Sequence, residues 1–207
     1  MNRTIVFDLG GVIIDLDVQR CVAAFRRLMP DEAIRTVLGI DDEGEAVVAI
    51  SAATRQLMHD YEYGNISSPA FVSSLLEYCH PGVTEAQVRE AWMSMLGDLP
   101  EERLRYIRSL RQQGYQTVLL SNSNDLHWQY IFDRYHLADC FDFIFASHLL
   151  HMAKPNPDIF RHVAEAVRMD PASTIYIDDL EKNRLAGHRY AGWQTLPSLA
   201  DLRATIE

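Results

Sequence analysis

The chain has 207 residues, 48% of them apolar and 23% charged, with a formal net charge of -10 at pH 7. That length and apolar content suit one α/β domain with a full core and a modest insertion, without metals or disulfides as staples. The acidic balance excludes a general binder of nucleic acid or anionic membranes, although a local cation or bound metal can reverse the sign inside one cleft.

The first apolar run, Ile5–Phe7, follows the N-terminus without a signal-peptide layout. No apolar run is long enough to span a membrane, so a soluble cytoplasmic protein is expected. From about Asp17 to Met95 the strand pattern is absent. The segment reads as helices around Val18–Leu28 and Ala46–Tyr61, a third opened by Ser68-Pro69, and a fourth opened by the capping-box pattern Thr84-x-x-Gln87. Pro100-Glu101-Glu102 then opens a helix that carries Leu104, Ile107 and Leu110 at a spacing of three and stops at Gly114. Strand-like runs follow at Thr117–Leu120, Phe143–Ala146, Thr174–Ile177 and Trp193–Leu196, and their near-continuous hydrophobicity predicts strands buried on both faces. Asn156-Pro157 caps and starts a helix bearing Ile159, Phe160, Val163 and Val167. Alternating strand and helix predicts a parallel sheet with helices on both faces. The all-helical stretch inserted after the first strand predicts a cap, dividing the chain into a core of residues 1–15 and 97–207 and a cap of residues 16–96. Cys21, Cys79 and Cys140 sit in apolar or helical patterns with no metal or redox spacing, and read as reduced structural thiols.

Chemistry-bearing residues cluster at the ends of the predicted strands. Asp8 follows Ile5-Val6-Phe7, at the edge where open α/β sheets bind ligands, and Gly10 and Gly11 let the backbone approach a ligand closely. Ser121-Asn122-Ser123-Asn124 ends the second strand in hydroxyls and amides that can donate to phosphate oxygens, although a turn or helix cap uses the same residues. Lys154 stands beside Pro155 and ahead of the helix start at Pro157, a rigid frame for an inward ammonium. Asp178 and Asp179 place two adjacent carboxylates after Ile175-Tyr176-Ile177, where like charges repel unless a cation is present. His148 and His151 read as the rim of a loop or short helix rather than a metal pair, and Trp128 as a packed residue at a helix start. Tyr61-Glu62-Tyr63 reads as a helix end that would project aromatics toward the site.

These four segments, in this order, resemble the four motifs of the haloacid dehalogenase superfamily, over most of the chain outside the helical insertion. The Asp-Leu-Gly-Gly-Val form is most similar to a subgroup containing α-glucose-1-phosphate phosphatase. The resemblance implies a Rossmann-like core with a parallel five-stranded sheet, a helical cap, and a Mg²⁺-dependent phosphatase acting on a small phosphorylated metabolite such as a sugar phosphate. It implies Asp8 as nucleophile and metal ligand, the Gly10 carbonyl and Asp179 as further ligands, and Asp178 acting through a metal-bound water. Gly11, Ser121 and the backbone at Asn122 would hold the phosphoryl group, Lys154 would neutralise charge, and Asn183 would orient the metal site. Because a cap covers the cleft, the expected partner is a small phosphate ester and not a phosphoprotein.

One position departs from the motif. Phosphatases of this superfamily mostly carry a second Asp two residues after the nucleophile, as general acid and base, and here that residue is Gly10. Its loss should cost about 10²–10⁴ in rate, or roughly 3–5 kcal/mol of barrier. A slow enzyme, a substitute donor (Asp15 or His127), or a good leaving group such as an anomeric oxygen would each account for it. A 2-haloacid dehalogenase-type hydrolase also lacks the second Asp but has no use for Asp178-Asp179, and a weakened binding or regulatory relative would not need Asp8, Lys154 and Asp179 intact.

Overall fold

The computed structural model describes residues 3–38 and 51–206. The chain opens with strand β1 (Thr4–Phe7), then helices α1 (Val18–Phe25), α2 (Asp31–Leu38), α3 (Ala52–Glu62), α4 (Ser68–Leu76) and α5 (Glu85–Met93). Strand–helix alternation resumes with α6 (Glu101–Gln112), β2 (Gln116–Ser121), α7 (Asp125–Tyr135), β3 (Phe143–Ala146) and α8 (Ser147–Leu150). It ends with α9 (Pro157–Val167), β4 (Thr174–Ile177), α10 (Glu181–Ala191), β5 (Gln194–Leu196) and α11 (Leu199–Ile206). The helix expected over Ala46–Tyr61 is described as α3, and positions 46–50 lie outside the described residues.

All five strands are parallel, in the order β3-β2-β1-β4-β5. The chain builds outward from β1 on one side, then returns to add β4 and β5 on the other. Neighbouring connections therefore diverge beside β1 and leave a crevice at the strand C-termini, the usual ligand site of such sheets. Side-chain alternation divides the central strands between two apolar layers. Ile5 and Phe7 pack with Leu104, Ile107 and Leu110 of α6, while Val6 packs with Ile159, Phe160 and Val163 of α9. Burial on both faces holds for β1 but fails at the edges. Phe143 of β3 and Gln194 of β5 are exposed because a strand with one neighbour keeps one flank open.

Helices α1–α5 share a separate apolar cluster that includes Phe25, Phe71, Leu75 and Trp92. The Thr84–Gln87 capping box forms in full at the start of α5. Two antiparallel chain passages join this helical group to the sheet, through Asp17 N–H to the Met95 carbonyl (2.8 Å), a Leu16–Leu96 bridge and Gly97 N–H to the Asp15 carbonyl (2.8 Å). A Cβ at Gly97 would stand 2.8 Å from that carbonyl oxygen, which explains glycine in the crossing. Among the described residues, no helix is long and apolar enough to cross a membrane.

Candidate active site

Asp8 leaves the buried β1 with its backbone N–H still bonded to the Ile177 carbonyl at 2.8 Å, so β4 fixes its position. Its Oδ1 accepts from Leu9 N–H at 2.7 Å and contacts Lys154 Nζ at 2.9 Å. The Lys154 ammonium is 3% exposed and also donates to Asp178 Oδ2 at 2.7 Å and to the Leu120 carbonyl at 2.9 Å. One lysine thus links the ends of β1, β2 and β4. Its own loop is fixed by Asn122, whose Oδ1 accepts from Lys154 N–H and whose Nδ2 donates to the Lys154 carbonyl, both at 2.8 Å.

The two consecutive aspartates have different environments. Asp178 is fully buried; it accepts from Lys154, the Tyr176 hydroxyl, Leu180 N–H and Asn183 Nδ2, so protein donors engage both its oxygens. Asp179 lies at the surface of the cleft, below Gly11. Gly11 has φ +73°, and a Cβ there would fall 2.5 Å from Asp179 Oδ2, so any side chain would collide with the carboxylate.

Electrostatics set by burial dominate here. Burial pushes the Asp8 carboxyl up to about 7 despite the pull of the Lys154 ammonium, with Asp178 adding to the rise. Burial also acts to raise Asp178, but Lys154 and the hydrogen-bond donors outweigh it and hold that carboxyl below its ordinary value. Asp179 is raised by burial and by Asp178. One ammonium for three carboxylates leaves an excess of negative charge that a divalent cation would balance.

The donor set fits such a cation. Carboxylate oxygens of Asp8, Asp178 and Asp179 lie within 4.8 Å of one another. All are hard oxygen donors, the kind that Mg²⁺ prefers. The side-chain oxygen of buried Asn183, beside this cluster, has no hydrogen-bond partner among the described residues. The cluster opens on a cleft of about 800 Å³ bordered by Asp8, Gly10, Gly11, Asn122, Lys154 and Asp179. Next to it lies a smaller chamber of about 250 Å³, reached past Leu9, Gly10, Ser121 and Asn122 and walled by Leu16, Met58, Trp92 and Met95. The Ser121 Oγ donates to the Asn122 carbonyl at 3.2 Å.

A family model of haloacid dehalogenase-like hydrolases matches residues 2–192. The chain belongs to that family. A D-ribitol-5-phosphate phosphatase of Bacteroides thetaiotaomicron is 28% identical over 189 residues, spanning 88% of this chain and 85% of that protein. A HAD family enzyme of the same organism, solved with magnesium and inorganic phosphate, superposes with a TM-score of 0.77 at 30% identity, over 95% of this chain and 93% of that one. A predicted HAD-like hydrolase of Porphyromonas gingivalis superposes with a TM-score of 0.79 at 29% identity, over 100% and 99% of the two chains.

In this hydrolase the substitute donors Asp15 and His127 border the two cavities but have partners of their own. Asp15 pairs with Arg103 at 2.7 Å. The ring of His127 stacks on Trp92 and donates Nε2–H to the Trp92 carbonyl at 3.1 Å, and burial pushes it down to about 4. His148 meets Trp128 edge-on, while His151 Nδ1 donates to the Tyr63 carbonyl. Trp128 packs against the main core, as a structural residue should. Of the aromatics at the end of α3, Tyr61 borders the inner chamber with its ring stacked on Phe71, and Tyr63 stacks on His59 instead. Between them, Glu62 borders both cavities, as Gly10, Leu16 and Asn122 also do, and accepts from Asn122 Nδ2 at 2.9 Å. In the sequence it is flanked by the more conspicuous Tyr61 and Tyr63. The usable signal is helical spacing: Glu62 lies four residues after Met58, on the face of α3 that borders the chamber.

Proposed function

We propose that this hydrolase is a Mg²⁺-dependent phosphatase of small phosphate esters that transfers the phosphoryl group to Asp8 before water releases it. The observation that carries this reading is the meeting of Asp8, Lys154, Asp178 and Asp179 from three separate chain segments, with Lys154 bonded to two of the carboxylates. Asp8, Asp179 and the Gly10 carbonyl would hold the cation, and Asp178 would support it from behind through water. Bound there, Mg²⁺ would supply positive charge against the phosphate oxygens and keep Asp8 ionised.

The chain's own residues account for the rest. The Leu9 N–H and Lys154 fix one oxygen of Asp8 and so orient the carboxylate for attack on phosphorus. Asp178 holds the lysine in place, since a buried ammonium without its partners would be costly. Gly11, Ser121 and the backbone at Asn122 line the position of the transferring phosphoryl group, while Lys154 offsets its charge. We read residues 16–96 as a cap that covers the cleft and limits water near the acyl phosphate. Dehalogenation at carbon would leave Asp179 without a role.

The chamber of about 250 Å³ limits the leaving group to a small molecule. Its mixed wall, with Ser123, Asn124 and Glu62 among apolar side chains, accepts a short sugar or polyol. The D-ribitol-5-phosphate phosphatase relative supports that class, and the motif likeness to α-glucose-1-phosphate phosphatase adds a second sugar ester to test. A phosphate-release screen over sugar and polyol phosphates is the direct assay. The expected outcome is release that requires Mg²⁺ and is abolished in Asp8→Asn. Release at the full rate in EDTA, or in the variant, would contradict the reading.

A further inference from the structure

We propose that the Glu62 carboxyl carries the proton that the reaction moves, replacing the carboxylate absent at position 10. The inference rests on the phosphatase reading and assigns a further catalytic residue to it. Glu62 ends α3 and borders both the Asp8 cleft and the inner chamber, where a phosphoryl group and its leaving group would meet. Two core segments fix it. Its Oε1 accepts from Asn122 Nδ2 at 2.9 Å, and its backbone carbonyl accepts from the Ser147 hydroxyl at 2.7 Å. The same Asn122 amide bonds the Lys154 carbonyl at 2.8 Å, so Glu62 and the lysine are held to one frame.

Three other acids or bases at these cavities are already engaged. Asp15 is paired with Arg103, His127 with the Trp92 carbonyl, and the Tyr61 hydroxyl with Ser68 and Leu126 N–H. Burial raises the Glu62 carboxyl above its ordinary value, opposed by Lys182 of α10, Lys154 of the adjoining loop and His59 of its own helix. A carboxyl with raised affinity for its proton, at the border of both cavities, suits general acid work.

The step balances as follows. Asp8 attacks phosphorus, the bond from phosphorus to the ester oxygen breaks, and the departing alkoxide takes the Glu62 proton to leave as an alcohol. Water then attacks the phosphorus of the aspartyl-phosphate, Glu62 takes a proton from that water, and Asp8 and inorganic phosphate are released.

Glu62→Gln keeps the side-chain volume and an oxygen to accept from Asn122, but has no proton to give. The test uses the full chain with Mg²⁺ and two esters: the sugar or polyol phosphate turned over fastest in the screen above, and p-nitrophenyl phosphate, whose leaving group needs no acid. The expected result is a loss of about 10²–10⁴ in turnover of the sugar or polyol ester, with a retained burst of one nitrophenolate per site from the nitrophenyl ester. That burst also counts folded, competent sites. An unchanged rate with the sugar ester overturns the inference, as does loss of the burst, which would make Glu62 part of the site's scaffold. If the wild type releases phosphate from no ester, the phosphatase reading fails first and this inference with it; a competent wild type matched by Glu62→Gln defeats this inference alone.

Discussion

At the scale of single residues, Lys154 is the joint of the site. It contributes the ammonium in a buried set of carboxylates and spans Asp8, Asp178 and the Leu120 carbonyl. Removing it strands at least one carboxylate away from water. Lys154→Met should therefore destabilise the metal-free fold by about 3–5 kcal/mol, read from urea unfolding at neutral pH, and should abolish phosphate release. A loss below about 1 kcal/mol would place these ion pairs in the range of solvent-screened surface pairs. Asp8, Lys154 and Asp178-Asp179 were candidates in the sequence because they fall in the order of the superfamily's motifs and because their positions stand out. Each is a charged residue at the end of an apolar run or inside a proline-framed turn, where solvation alone does not explain it. Glu62 was not legible in the same way, because a glutamate among Tyr61, Tyr63 and Asn65 looks like any solvated helix end. Only the fold brings it against Asn122.

At the scale of elements, the junction of α5 and α7 ties the helical group to the sheet. His127 of α7 stacks on Trp92 of α5 and bonds its carbonyl, and the Trp92 Nε1–H donates to Asn124 Oδ1 at 3.4 Å. Burial holds the folded His127 ring down at about 4, against an ordinary value of 6.5. Between those two values the unfolded chain binds the extra proton. The ring's contribution is thus whole above about pH 6.5 and is lost as pH falls toward about 4, an effect of about 3 kcal/mol. Urea titrations at pH 7 and pH 4.5 should show a shallower loss of stability in His127→Gln than in the wild type, and equal losses would remove His127 from the account. The elements themselves were mostly readable, because their stop and start signals are local. Thr84 with Gln87, and Asn156 with Pro157, cap the helices they announce. Strand exposure was less readable: Phe143–Ala146 has the hydrophobicity of a central strand but lies at the edge, and sheet order is set by long-range pairing.

At the scale of the whole molecule, the α1–α5 group sits over the strand ends through polar contacts as well as packing. Ser68 Oγ donates to Asp125 Oδ2 at 2.7 Å, Ser147 Oγ donates to the Glu62 carbonyl, and Asn122 reaches the Glu62 carboxylate. The helical insertion could be anticipated from the break in strand rhythm after β1, but these contacts could not, since they join residues 57 to 85 positions apart. They place the inner chamber between the two parts of the molecule, beside the carboxylate cluster. The account stands on Asp8 being the atom donor to phosphorus at that place. Its most direct measurement is an acid-quenched turnover mixture, digested and examined by mass spectrometry for a phosphoryl group on the peptide that carries Asp8. The account predicts that the group appears on Asp8 when Mg²⁺ and substrate are both present, and is absent in EDTA and in Asp8→Asn. Turnover with no phosphoryl group on that peptide, or with one that persists in Asp8→Asn, would contradict it.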